Sequence, residues 1–246
     1  FARRSFAIAS AFGMASILSV IILGDESGYE IGDVQKTKLA AIEAEWHTEP
    51  APAAFTLFGL PNQAEQRTDY AVKIPYVMGI IATRSLDTQV TGIKDLIKQH
   101  ELRIRNGIKA YALLEKLRSG EKTPENLAAF NQHKQDLGYG LLLKKYTPAV
   151  VDASEAQIKQ AALDTIPNVA TVFWSFRLMV ASGFLMRGLF ICAFWASARK
   201  NEEKKRWLLK WALYSLPLPW IAAQTGWLVA EHGLVMLQQA GDHVVP

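Results

Sequence analysis

The chain has 246 residues, half of them apolar, with 27 Lys or Arg against 23 Asp or Glu and a net charge of +4. Such averages fit a soluble protein of one or two domains. However, the apolar residues are gathered into runs and the excess basic residues lie in and beside those runs, which argues against a nucleic-acid-binding face. A single cysteine, Cys192, rules out an internal disulfide and a cysteine-rich metal site; within an apolar run its expected role is packing.

Residues 6–23 carry no charge and follow Arg3 and Arg4. A hydrocarbon core about 30 Å thick takes roughly 20 helical residues, so the first predicted element is a transmembrane helix over 1–24. A cleaved signal peptide ahead of a secreted soluble domain is the alternative. No small-x-small pattern precedes GDESG and two more apolar runs follow, which favours a retained helix.

Residues 25–165 are too long for a bare connection and should fold as a polar domain. With 17 Lys or Arg against 19 Asp or Glu, the segment is nearly neutral. Asp33 is the expected N-cap of a helix over 34–46. Pro50 and Pro52 impose an extended stretch. Residues 54–59 and 69–75 read as the strands of a small β-hairpin, the first ending before a Pro61-Asn62 turn. A helix is predicted over 86–118 from the recurrence of Ile93, Leu96, Ile97, Ile104, Ile108, Tyr111 and Leu114 at spacings of three and four. Gly107 weakens it by about 1 kcal/mol relative to alanine. Further helices are expected over 124–135 and 153–164.

Residues 166–198 are apolar except for Arg177 and Arg187, and 211–231 form a third run in which Pro217 and Pro219 should kink or delay the helix. Between them, 199–210 is a basic connection. Placing this connection and the Arg3-Arg4 start on the cytoplasmic side leaves 25–165 extracytoplasmic. The predicted fold is therefore mainly α: three transmembrane helices plus a large, mostly helical extracytoplasmic loop with a small hairpin. An atypical tail occupies 232–246.

Lys38 and Glu43 are the first candidates for chemistry. Five positions is about 140° of helix rotation, so they do not stack as an ion pair, but they suit opposite sides of a bound molecule, with Trp46 as an aromatic wall. Lysine and glutamate supply the hydrogen bonds and the base that a quinol needs. A solvated helix with ordinary surface charges is the competing reading. In the second run, Met179 suits a haem axial ligand, although most membrane methionines simply pack. Arg177 suits a propionate or a reduced haem, because an intramembrane arginine normally faces an interior partner. Gln224, between Trp220 and Trp227, is expected to bond a neighbouring helix. None of His47, His100, His133, His232 and His243 falls in an apolar run or has metal-ligand spacing, and each reads as a surface residue.

The strings RSFAIASAFGMAS, LGDESGYEIGDVQKTKLAAIEAEWHTEPAPAAF, PYVMGIIATRS, RIRNGIKAY, DLGYGLLLKKYTP and WSFRLMVASGFL resemble, in order and spacing, subunit I of the cytochrome bd quinol oxidases. The resemblance covers about residues 1–233. It implies a quinol:O2 oxidoreductase of the bacterial inner membrane, passing electrons from quinol through haem to O2. It also implies low-spin haem b558, with high-spin haem b595 and haem d in the intact complex, and ubiquinol or menaquinol as substrate. The partners implied are subunit II, a small accessory subunit and membrane lipid. Under it Lys38 and Glu43 are quinol-loop residues, Met179 the axial ligand of the low-spin haem iron, Arg177 the arginine beside that haem, and Trp220 a tryptophan near the high-spin haems.

Three departures accompany the resemblance. The histidines expected to ligate haem are absent, Gln224 stands where a glutamate is expected, and LVMLQQAGDHVVP replaces GRQPW after EHG. Together with a start at Phe1, they predict a C-terminal-half fragment or frameshift product, inactive alone. A non-catalytic membrane-anchored sensor or interaction module is the alternative.

Overall fold

In the computed structural model, residues 2–85 and 87–231 are described. The expected tail 232–246, with His232 and His243, lies outside the described residues. The fold is mainly helical with one two-stranded antiparallel sheet, in line with the predicted class.

Helix α1 (Ala2–Val34) does not stop at the end of its apolar run but continues through GDESGYEIGDV. Helix α2 (Lys36–Glu43) follows after Gln35 alone, so Asp33 is helical backbone and not the expected cap, and α2 starts without a side-chain cap. It ends earlier than predicted in a left-handed turn at Ala44 (φ 49°), where Ala44 N–H donates to Ala41 O and Glu45 N–H to Ala40 O. This is a Schellman closure with alanine where glycine is usual.

Strands β1 (Phe55–Asn62) and β2 (Arg67–Ile74) form the hairpin, with Thr56 opposite Lys73 and irregular register around Phe58. Contrary to expectation, Pro61 lies inside β1 and the turn falls at 63–66. A strand of a two-stranded sheet has one unpaired edge, so a missing N–H is tolerated there. A single π-helical turn, Gly79–Thr83, follows. Arg84 then binds Asp25 (3.1 Å) and Glu26 (2.7 Å) and lies over the Tyr29 ring, fastening this turn to α1.

Helix α3 (Ile93–Arg118) begins later than the predicted 86, because Val90 bridges Glu49 and Gly92 packs on the His47 backbone. It buries Ile93, Leu96, Ile97, His100, Ile104, Gly107 and Ala110. Helices α4 (Pro124–His133), α5 (Leu137–Leu141) and α6 (Glu155–Asp164) pack on it. Gly107 and Gly140 meet backbone to backbone: a Cβ on Gly107 would come within 2.3 Å of Gly140 N. Ser154 and Gln157 form a capping box at α6. One apolar cluster joins α2, α3, α6 and the start of the next helix through Ile42, Trp46, Ile104, Ile158, Val172 and Phe173.

Helix α7 (Val169–Ala198), capped by Asn168 on Thr171 N–H, packs between α1 and the last helix. Two stretches, Arg3–Glu30 and Glu155–Ala198, contain helix long and apolar enough to cross a membrane. The third run is divided into α8 (Arg206–Tyr214) and α9 (Leu218–Glu231). Pro217 has no N–H to continue the ladder, whereas Pro219 sits in the first turn of α9, where a donor is not required. Large apolar side chains stay exposed along these helices, among them Phe12, Ile22, Phe184, Trp195 and Trp227.

Candidate functional site

The end of α2, the start of β1 and the first third of α7 converge on one buried polar cluster. Glu43 is 2% exposed; its Oε2 accepts Thr56 N–H at 2.8 Å and lies 3.5 Å from Arg177 Nη2. Arg177 also donates to three carbonyls: Ile42 O at 2.7 Å, Phe173 O at 3.0 Å and Thr56 O. Its guanidinium is sandwiched by the Phe173 ring at 3.4 Å and the Phe55 ring at 5.4 Å. The hairpin is held there by Phe58 edge-on to Trp174 and by Gln63 Oε1 accepting Val169 N–H.

The cluster is incompletely satisfied. Four buried side-chain polar atoms lack a hydrogen-bond partner among the described residues, and three of them are here: Glu43 Oε1, Thr56 Oγ1 and Arg177 Nε. Buried polar atoms are nearly always paired, so three orphans in one place single out this cluster as the candidate site. Burial raises the Glu43 pKa to about 7, against the lowering effects of Arg177 and the Thr56 N–H. The carboxyl therefore exchanges its proton near neutral pH, as a general base should.

Lys38 is buried as well, but it turns elsewhere: its ammonium donates to Ala230 O at 2.8 Å, at the C-terminal end of α9. Cations are favoured at that end of a helix. Burial lowers the Lys38 pKa, with the Glu231 charge opposing. Both candidates on α2, Lys38 and Glu43, are thus interior, unlike the exposed Lys36, which overturns the solvated-helix alternative for them, yet they go to different neighbours. Trp46 is a core residue whose indole N–H donates to Thr68 Oγ1 at 3.0 Å.

Met179 is half-buried where α7 crosses α9, and a Cβ on Gly226 would come within 3.0 Å of its Sδ. Its thioether is a donor that could hold a haem iron, which would supply one-electron chemistry. No group of three or more His, Cys, Asp or Glu suited to a metal ion occurs among the described residues. Trp220 is exposed on α9, as is Gln224.

His100 corrects the surface-histidine expectation. It is buried, with Nδ1 2.6 Å from Thr165 Oγ1 and Nε2 3.5 Å from Thr37 Oγ1. It occupies the same helical stripe as Leu96, Ile97 and Ile104, a signal present in the spacing. The Glu43–Arg177 pair and the Thr56 N–H that holds Glu43 had no such signal.

A membrane-type helical subunit with a folded polar loop, presenting a buried Glu–Arg pair, is the class defined so far. Residues 1–235 match the family "Cytochrome bd terminal oxidase subunit I", and the chain belongs to that family. It is 45% identical over 232 residues to the cytochrome bd-II ubiquinol oxidase subunit 1 of Escherichia coli (strain K12), covering 94% of this chain and 45% of that protein. It is 25% identical over 233 residues to the cytochrome bd ubiquinol oxidase subunit 1 of Bacillus subtilis (strain 168), covering 95% of this chain and 38% of that one. The chain therefore spans less than half the length of these relatives.

Proposed function

We propose that this chain forms the quinol-oxidising side of a cytochrome bd-type terminal oxidase of the bacterial inner membrane, with quinol as electron donor and O2 as final acceptor. The observation that carries the reading is the buried Glu43 carboxyl, with Glu43 Oε1 and Thr56 Oγ1 unpartnered beside it. A quinol hydroxyl placed there donates to Glu43, which takes its proton. Arg177 fixes the carboxyl and stabilises its charged form. Lys38, five residues earlier, donates to Ala230 O and secures α2 to α9, so its part in the quinol site is to position the helix that carries Glu43. Ubiquinol and menaquinol both have the para-hydroxyls this arrangement requires.

Met179 would hold the iron of low-spin haem b558, and Trp220 would present its indole to high-spin haem b595 or haem d. Haem, when bound, supplies one-electron redox chemistry. Arg177, two residues from Met179, contributes positive charge on the same stretch of helix. Subunit II and a small accessory subunit complete the complex.

In this reading residues 1–24, 166–198 and 211–231 lie in the bilayer, with the last span built from α9 and the end of α8. Residues 25–165 are extracytoplasmic, 199–210 are the cytoplasmic connection and 232–246 the tail. Arg3 donates to Lys200 O at 3.3 Å, so the two basic segments share one end of the molecule, as a common cytoplasmic face requires.

The test is Glu43→Gln in the assembled oxidase. Quinol-driven O2 consumption should fall at least about a hundredfold, while the reduced-minus-oxidised haem spectrum stays. In infrared difference spectra, a protonated-carboxyl band that titrates near pH 7 should vanish with the substitution. Undiminished turnover would refute the assignment, and a complex without haem would return the chain to a membrane-anchored interaction module.

A further inference from the structure

Glu43 needs a way to release what it accepts, and its surroundings on the loop side are graded from interior to surface. Glu45, two residues on across the Ala44 turn, has a side chain 11% exposed, while those of Glu49 and Lys73 are 26% and 32% exposed. Lys73 Nζ bonds Glu45 Oε2 at 2.8 Å and also Glu49 Oε1, so one ammonium is shared by two carboxylates. Lys73 is the β2 residue opposite Thr56, whose N–H holds Glu43. The two clusters are therefore adjacent rungs of one hairpin, and the charges of both Glu45 and Lys73 act on Glu43.

From this geometry, and resting on the reading of Glu43 given above, we infer that Glu45, Lys73 and Glu49 form the exit path by which Glu43 returns the quinol proton to external water. The Glu45–Lys73–Glu49 trio carries one negative charge in excess, so it can take up one proton. A proton leaving Glu43 breaks its O–H bond and makes one on Glu45. Glu45 then hands the proton on to Glu49, with Lys73 staying an ammonium that holds both carboxylates together, and Glu49 releases the proton to water. No electron moves in these steps; the quinol electrons leave separately, to haem iron. Arg177 faces Glu43 from α7 on the other side and stays cationic throughout. Burial raises the Glu45 pKa, which suits a group that takes up a proton briefly.

Glu49→Gln in the assembled oxidase is the test, since it keeps shape and removes the last carrier. At saturating quinol, kcat should fall about tenfold with KM within about twofold, and imidazole added as a mobile base should restore most of the rate. Lys73→Met should behave alike, whereas Lys73→Arg, which keeps a cation between both carboxylates, should retain at least the positioning and show a milder loss. A structural role alone would not respond to imidazole. An unchanged rate in Glu49→Gln, or a loss that imidazole leaves in place, overturns the exit path. Glu43→Gln measured alongside separates the two claims: if it abolishes turnover while Glu49→Gln leaves kcat intact, only the exit path fails. If Glu43→Gln is itself silent, both fall.

Discussion

The polar loop and the three apolar runs are held together by different means. The loop closes a core across α2, α3 and α6, caps α4 and α6 with side chains and ties its surface with ion pairs such as Arg103–Asp136. The apolar runs instead leave aromatic and aliphatic side chains along α1, α7 and α9 uncovered. Water drives the first kind of closure by the hydrophobic effect, whereas a lipid tail solvates phenylalanine as well as a neighbouring helix does. Arg177 is the point where the two regimes meet, a charge on a membrane-type helix answered mainly by loop atoms: Glu43, Ile42 O and Thr56 O.

The sharpest way to break the contrast is Arg177→Leu. It strands Glu43 in the interior and frees three carbonyls, and the loss should be about 3–5 kcal/mol. Thermal unfolding of the detergent-solubilised oxidase measures it, and adding Glu43→Gln should recover part of the loss if the pair is coupled.

A second effect belongs to the loop alone. Burial, followed by the Arg103 charge, lowers the His100 pKa from 6.5 to about 4. Between those values the unfolded chain takes up a proton that the folded chain refuses. The stability this neutral histidine permits is present above pH 6.5 and drains away as pH falls towards 4, by up to about 3 kcal/mol. His100→Gln should flatten that part of the profile of melting temperature against pH.

Gly107→Ala comes next, at about 1–3 kcal/mol, because α3 and α5 must separate to admit a methyl group between two backbones. Chemical denaturation of the loop signal reads this. Smallest of all is Phe184→Ala on the exposed face of α7, expected within about 0.5 kcal/mol in detergent. A large loss there would mean that this face is covered by protein in the complex, not by lipid.

Much of this was legible in the residue pattern, for reasons of periodicity. The α3 stripe, the hairpin and the break at Pro217 all follow from local rules. Asp33 misled because helix α1 outlasts its apolar run, and a capping residue is informative only where a helix starts. Lys38 and Glu43 were visible as candidates, but their partners were not. Arg177 is 134 residues from Glu43 in the chain, and Ala230 is 192 from Lys38. Pairings at such distance come from tertiary packing, which single-chain spacing does not encode. Likewise, Lys73 reads as an ordinary strand cation until the register sets it opposite Thr56.

Helix α1, at 33 residues, is about 50 Å long, while the apolar core of a bilayer takes up about 30 Å. On the proposed membrane placement the remaining turns would form a post standing clear of the lipid, to which Arg84 moors the loop at Asp25 and Glu26. The height of the Glu43 cluster above the bilayer is then governed by a rigid rod. A thicker membrane draws the mooring down toward the head groups and a thinner one lifts it away. If Glu43 is the quinol base as proposed, bilayer thickness thereby becomes a mechanical setting on how far a quinol head must rise to reach it.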